Sequence, residues 1–483
     1  MTEVRLVTLQ GASKSIGAEA LAALRSGLRG NLCLAGDAGY DEARTIWNAA
    51  IDRRPGAVVR CRGTADVIRA VRLAREHGLL LAVRSGGHNI AGNAVCEGGL
   101  LIDLSPMRSV RIDPSNRTAR VEPGATLGEF DKEAQAFGLA TPLGVNSTTG
   151  VAGLTLGGGF GWLSRKFGFT VDNLISADVV TASGELVQTS GDQNPDLFWA
   201  IRGGGGNFGV VTSFEFKLHR VGPELLSGLI VHPFAQARQL LGGYRQVVAG
   251  APDELTAWAV LRKAPPLPFL PTEMHGKEIL AFAICYAGDV AEGQRALEPL
   301  RALGKPVADV IGVQPYAAWQ TAFDPLLTPG AHNYWKSHNF LRLSDALLDT
   351  VVDYVGRLPT PECEIFIGQL GGASSRVASD ATAYPHRDAN FLMNVHTRWR
   401  EPTDREGSIQ WTRKLFDAAA PHATGGVYVN FMPEDELERV SGGAYGANYS
   451  RLAALKAKYD PENLFRMNQN VRPTAQRPAA AAS

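Results

Sequence analysis

VRSGGHNIAG, residues 83–92, is the stretch on which the reading of this chain turns. Upstream of it, Val58 and Val59 mark a strand, Thr64 to His77 a helix with Thr64 as its N-cap, and Leu79 to Val83 a second strand. Val67, Ile68, Val71 and Ala74 recur at helical spacing, and Gly78 stands where a helix ends in a left-handed residue. The second strand therefore delivers Arg84-Ser85-Gly86-Gly87-His88 as a tight loop. Without Cβ atoms, Gly86 and Gly87 let backbone N–H groups turn inward around an anion such as a pyrophosphate. Taken alone, the run reads equally well as a surface turn with an exposed histidine.

A second stretch, GVNSTTGVAGLTLGGGFG at 144–161, shifts that balance. Three consecutive glycines, Gly157, Gly158 and Gly159, preceded by Gly150 and Gly153, carry a heavy entropic cost in an ordered region. A buried planar ligand lying on main chain accounts for it. A third, DLFWAIRGGGGNFGVV at 196–211, adds four glycines and leads into a strand from Val210 to Leu218.

Two nicotinamide-enzyme signals fail on inspection. VTLQGASKSIGA (7–18) opens like a short-chain dehydrogenase, but Ser15 replaces a glycine and no tyrosine has a lysine four residues on. The simpler reading is an N-terminal strand and helix packed on the domain that follows. GGGNFG (204–209) matches GxGxxG, yet it lies between a helix and a strand, the reverse of a dinucleotide fingerprint.

Composition excludes more than it selects. The 483 residues hold two or three domains' worth of core, and 48 basic against 48 acidic residues leave no net field for nucleic acid or anionic membrane. No nucleic-acid motif, membrane-length apolar run or signal-peptide pattern is present in the sequence. Cys33, Cys61, Cys96, Cys285 and Cys363 are scattered and odd in number, which favours reduced thiols and a cytoplasmic setting over a disulfide framework. The ten histidines show no metal-site spacing.

Three blocks, residues 55–220, LGGASSRVASDATAYPHR (370–387) and NYSRLAALKAKYDPENLFRMNQNVRP (448–473), together resemble the berberine bridge enzyme-like FAD-linked oxidases of the vanillyl-alcohol-oxidase (PCMH-type) fold. The run Tyr459-Asp460-Pro461-Glu462-Asn463-Leu464-Phe465 is the most specific match. The resemblance implies an α+β fold: a two-lobed FAD domain over 1–220 with core from about 55 and a second lobe opening near Thr118. A substrate domain over 221–443 would carry a large antiparallel sheet roofing the flavin, and 444–473 would return to the FAD domain. The remaining 474–483 reads as a disordered tail. Alternation in EIFIGQL (364–370), ANFLMNVHT (389–397) and GVYVNF (426–431) suits such a sheet. Tyr449 to Tyr459 reads as a helix ended by Asp460-Pro461.

The same resemblance places roles. His88 would bond the flavin's 8α carbon. Because Asn146 stands where some members use a second, cysteinyl link, a single histidyl attachment and a smaller substrate are expected. Arg84, Ser85, Gly86, Gly87, Asn89 and Gly92 would hold the pyrophosphate. Gly150 and Gly153 would line the isoalloxazine, Gly209 and Val211 would sit by the adenine, Asn468 and Asn470 would bond the flavin ring, and Asn146, Thr148, Thr149 and Gly158 would be further cofactor contacts. Thr149 stands where the family controls oxygen access. Asp172 and Asn173 read as organisers of a turn. The implied reaction is oxidation of a C–H beside OH or NH in an alcohol, sugar or amine, with O2 reduced to H2O2, or with another acceptor in a dehydrogenase. A flavin-binding relative without turnover is the remaining alternative, and oligomeric state stays open. For the proton-accepting side chain, Tyr428 and Lys336 lead, with Tyr334, Asn430, His396, Asn394 and His386 also in view. Lys336 matches a lysine that faces substrate in hydroxynicotine oxidases, and it would lower the pKa of Tyr428. Trp319, Trp335, Phe391 and Met393 either line an aromatic pocket or belong to the core.

Overall fold

A computed structural model describes residues 3–474, so the last nine residues, most of the stretch read as a tail, lie outside the described residues. The first lobe is a four-stranded sheet ordered Asn31–Leu34, Ala57–Arg60, Leu100–Asp103, Leu81–Arg84, the last three parallel. Helix Thr64–His77 buries Val67, Ala70, Val71 and Ala74 and ends at Gly78 in the left-handed conformation (φ 62°). Thr64 is not its cap: Gly63 takes that position, and Asp66 instead accepts the backbone N–H groups of Arg29, Gly30 and Arg62. A carboxylate in the first turn can satisfy N–H groups of an adjoining segment, which a hydroxyl one residue inside the helix cannot reach. The N-terminal decoy is a hairpin, Val4–Val7 with Ser13–Ile16, then helix Ala18–Gly27, packed on this lobe through Leu6, Ile16 and Leu21.

The second lobe is a five-stranded antiparallel sheet ordered Leu186–Ser190, Leu174–Val180, Val210–Lys217, Thr118–Val121, Val110–Asp113. The GGGNFG stretch lies between helix Pro195–Ile201 and strand Val210–Lys217, in the order that rules out a dinucleotide fingerprint.

All strands of the large sheet come from residues 224–399. Its order is Ala308–Asp309, Glu224–Pro233, Glu278–Tyr286, Leu255–Lys263, Glu364–Gln369, Phe391–Trp399, His332–Phe340, with Gly312–Pro315 also on Glu224–Pro233. The pairings are antiparallel, so one face carries alternate residues of each strand and covers the first two lobes. The other face packs under helices Ala237–Ala249, Asp345–Val355 and Arg405–Ala419. The expected strand at 426–431 is absent: Val429–Phe431 is a 3-10 turn. Residues before it touch the edge strand at Asn339, through Thr424 N–H to Asn339 O (2.9 Å) and Asn339 N–H to Gly426 O (3.4 Å), and then turn to Gly443 through Val427 N–H to Gly443 O (3.0 Å).

Helix Tyr449–Tyr459 brings the chain back to the second lobe. Asp460 explains why the following motif is compact. Its two oxygens accept from the N–H groups of Leu464 and Phe465, each at 2.8 Å, and Oδ2 receives Lys456 Nζ at 2.7 Å. Lys456 also donates to the carbonyls of Asn207 and Phe465, so one buried ion pair fastens the C-terminal segment to the glycine-rich turn before strand Val210–Lys217.

Candidate active site

One cavity of about 370 Å³ runs between the lobes and the inner face of the large sheet. The first glycine loop enters it from the end of strand Leu81–Arg84, and Ser85 to Asn89 line it. The second loop meets the first backbone to backbone. A Cβ on Gly86 would stand 2.3 Å from Gly150 N, and one on Gly150 would stand 2.5 Å from Gly86 N, so neither position tolerates a side chain. Gly153, in helix Val151–Leu156, differs: a Cβ there meets no protein atom within 4 Å and points into open space on the cavity wall. Mid-helix glycine costs roughly 1 kcal/mol against alanine, so packing within the chain does not account for it. Asn468 and Asn394 also line the cavity, and each has a buried Oδ1 without a partner among the described residues. A cradle of main chain with a bare glycine and unmatched polar atoms fits a large planar, hydrogen-bonding ligand.

His88 lies on this wall, stacked on Trp47 with centroids 5.0 Å apart. Its tautomer follows from its neighbours. The Thr148 backbone N–H donates to Asn146 Oδ1 at 3.2 Å, which fixes that atom as oxygen, and the Thr148 hydroxyl donates to the same oxygen at 2.8 Å. Having spent its proton there, Thr148 Oγ1 can only accept from His88 Nε2, 3.1 Å away. Nε2 therefore carries the hydrogen and Nδ1 the lone pair. Burial pushes the His88 pKa down to about 4, so the ring is neutral at pH 7.

Opposite, Tyr428 Oη accepts from Gly159 N–H (3.1 Å) and Asn430 Nδ2 (2.9 Å). Phe160 and Phe431 set their edges against its ring. Burial pushes its pKa up to about 12 in spite of those two donors, so at neutral pH the phenol keeps its proton. Tyr428 and Asn430 both line the cavity, although through a turn rather than a strand.

The sheet contributes a polar row: Arg262, Glu364, His396 and Trp335 stand side by side on neighbouring strands. Arg262 donates to Glu364 Oε2 at 2.7 Å, while Glu364 Oε1 lies 3.6 Å from His396 Nδ1. His396 Nε2 lies 3.0 Å from Asn333 Oδ1, an oxygen that also receives Arg398, so Nε2 carries the hydrogen. Burial acts to raise the Glu364 pKa, but Arg262, His396 and Arg398 hold it down to about 2. Burial lowers that of His396, partly offset by Glu364. A neutral imidazole with its Nδ1 lone pair beside a fixed carboxylate is a proton acceptor whose charged form is already compensated.

Other expectations meet a different geometry. Tyr334 and Lys336 fall on the opposite face of strand His332–Phe340, because side chains alternate and Asn333 and Trp335 take the inner face. Lys336 pairs with Glu436 at 2.7 Å over the Phe416 ring, and Tyr334 donates to Asp435, so Lys336 supplies no cation to Tyr428. His386 is held by Ala444 O. Arg84 turns away from the loop to Asp103, at 2.9 Å. Gly158 (φ +116°) packs on Tyr384, Gly92 on Ile51, and Asn470 is half-buried off the cavity, with its Oδ1 buried. Trp319, Phe391 and Met393 are core, whereas Trp335 lines the cavity. Asp172 does organise its turn, accepting Phe169 N–H and a bidentate Arg387. Asn146, Thr149, Gly209 and Val211 line the cavity as the sequence suggested. Trp47, Arg262 and Glu364 were missed; of these only Glu364, on the inner face of an alternating strand, carried a signal.

The family models for an FAD binding domain and for berberine and berberine-like proteins match residues 55–190 and 427–472. The chain is 32% identical to (R)-6-hydroxynicotine oxidase of Paenarthrobacter nicotinovorans, over 92% of this chain and 97% of that protein. The chain belongs to the berberine bridge enzyme-like FAD-linked oxidoreductases. It is also 30% identical to chitooligosaccharide oxidase of Gibberella zeae, over 91% of this chain and 92% of that protein. The solved 6-hydroxy-D-nicotine oxidase of Arthrobacter nicotinovorans superposes with TM-score 0.82 at 30% identity, covering 92% of this chain and 98% of the other. The protein is thus an FAD-dependent enzyme of the α+β PCMH type, and the cavity is where its FAD fits. Ser85 to Asn89, Gly150, Gly153, Gly209, Val211 and Asn468 line that cavity and are the residues that would hold it.

Proposed function

We propose that this enzyme is an oxidase with FAD attached once, through His88, which oxidises a C–H next to the hydroxyl or amine of a small molecule and passes the electrons to O2, releasing H2O2. The observation that carries this reading is the convergence in one cavity of His88, with a neutral, unprotonated Nδ1, and the Glu364–His396 pair, with its own free Nδ1. FAD supplies the hydride acceptor. His396 Nδ1 takes the O–H or N–H proton of the substrate as the C–H hydride leaves, and Glu364 stabilises the imidazolium that results. Tyr428, protonated and held by Gly159 and Asn430, donates to the substrate heteroatom and orients it. Asn146 in place of a second attachment residue supports the single link. Thr149, small and on the cavity wall, supports access for oxygen.

The test is a denaturing gel of the purified yellow protein viewed for flavin fluorescence, beside His88→Ala. Fluorescence should travel with the wild-type chain and be lost in the variant, and alcohols or amines should release peroxide in air. A non-fluorescent wild-type band would overturn the covalent link. Reduced flavin that stays reduced in air would turn the reading to a dehydrogenase.

A further inference from the structure

The cavity wall formed by the large sheet is not uniform, and the pattern names a substrate class. Along one register row the inward residues are Val231, Ala281, Val260, Phe366 and Asn394, crossing five neighbouring strands. Polarity is confined to one side of the sheet: Glu364, Asn394 and His396 on the two strands near His332–Phe340, with Arg262 paired to Glu364. On Glu224–Pro233 and Glu278–Tyr286 the cavity is walled by Leu229, Val231, Ile279, Ala281 and Ala283.

The apolar side continues onto a loop. Strands Leu255–Lys263 and Glu278–Tyr286 are joined not by a tight turn but by residues 264–277, which contain Pro265, Pro266, Pro268 and Pro271. The loop is closed at its base by Ala264 N–H to Lys277 O (2.8 Å) and Gly276 N–H to Ala264 O (2.9 Å). Inside it, Leu267 N–H donates to Pro265 O and Leu270 N–H to Leu267 O. Four prolines lower the entropy of ordering such a loop. Leu267, Phe269 and Leu270 from it line the cavity, and Phe269 stays 37% exposed at the rim. A pre-ordered loop that sets contiguous large apolar side chains at a cavity mouth is suited to an apolar ligand.

We propose that the substrate is an amphiphile: an alcohol or amine head at the Glu364–His396 and Tyr428 end, on an apolar body that runs under the 264–277 loop. This rests on the oxidase reading for the head. Sugars are disfavoured, since each hydroxyl along the apolar side would lose water without gaining a partner.

The test measures dissociation constants of 4-alkylbenzamides, methyl to pentyl, on the purified holoenzyme through their perturbation of the flavin absorbance. These probes keep a polar head and need no turnover. Affinity should rise about fourfold per methylene, about 250-fold across the four methylenes of the series, with cellobiose giving no perturbation at millimolar concentration. In Phe269→Asp and Leu267→Asp the methyl-to-pentyl ratio should collapse to a few-fold. A flat series in the wild type, an undiminished ratio in both variants, or cellobiose binding more tightly than the pentyl compound would overturn the proposal. Should the series hold while no alcohol or amine reduces the flavin anaerobically, the substrate shape stands and the reaction assigned to the head falls.

Discussion

At the scale of single residues, the Asn146–Thr148–His88 chain decides which nitrogen of the histidine carries the lone pair, and so which one the proposed flavin link would use. Thr148→Val keeps the shape and removes the acceptor for Nε2–H, so the competing tautomer, with Nδ1 blocked by its proton, becomes populated. The fraction of flavin that survives acid precipitation with the protein should rise more slowly after FAD is added to Thr148→Val than to wild type. An unchanged time course would remove Thr148 from attachment. Glu364→Gln leaves a hydrogen-bonding side chain beside His396 but no negative charge to stabilise an imidazolium. Anaerobic flavin reduction by substrate should slow by about 10²–10⁴-fold in this variant, the range typical of lost acid–base help. A change confined to KM would show that Glu364 binds substrate without assisting proton transfer.

At the scale of elements, one helix that lines the cavity and one turn that ends a helix can each be tested. Helix Val151–Leu156 carries Gly153 against open space, so Gly153→Ala should raise the thermal midpoint of the flavin-free protein, by a stabilisation of up to about 1 kcal/mol. The added methyl should also cut flavin content, seen as a lower absorbance ratio of flavin to protein. Full flavin loading in that variant would show that the glycine does not face the cofactor. The turn after helix Tyr449–Tyr459 depends on Asp460. Burial pulls the Lys456 pKa down to about 8, and Asp460, which pushes it back up, is the only carboxylate paired with it among the described residues. Asp460→Asn leaves that cation buried without its counter-charge and should cost about 3–5 kcal/mol in denaturant unfolding. A loss under 1 kcal/mol would mean that the pair is not what holds the return segment.

At the scale of the whole molecule, the second glycine loop and the large sheet close over one aromatic cluster that includes Phe160, Trp162, Trp258, Tyr384 and Tyr428. Folding and the site therefore share a core, and buried titratable groups spread through the molecule set an acid limit. A histidine in the unfolded chain titrates near 6.5. Burial pulls His88, His219 and His338 down to about 4, and lowers His232, His386 and His396 as well. Between about 6.5 and 4 the unfolded chain thus binds more protons than the folded one, so stability is lost as pH falls through that window. Asp131, which burial pushes up to about 7 despite a hydrogen bond from Gln320, acts in the opposite sense: its contribution is present at low pH and lost as pH rises toward 7. Six histidines against one carboxyl predict a thermal midpoint of the flavin-free protein that falls steadily from pH 6.5 to 4. A midpoint that is level or rising across that range would contradict the sum.

What the sequence determined by itself is local. Helical spacing set Thr64–His77 and Tyr449–Tyr459, alternation set the strands at 364–369 and 391–399, and glycine runs marked loops able to cradle a ligand, though not that Gly86 and Gly150 meet. Period and propensity act within a few residues, so one chain carries them openly. The identity of the site's polar groups was decided by tertiary structure. Lys336 and Tyr334 read as attractively as His396, but one step of strand alternation, set by which face the helices cover, sends them to the far side of the sheet. Alternation marks the strand of Glu364 but not the strands it pairs with: Arg262, Glu364 and His396 become a polar row only when three strands align in register. Register depends on what each face buries, and that is settled only when the sheet meets the lobes it covers.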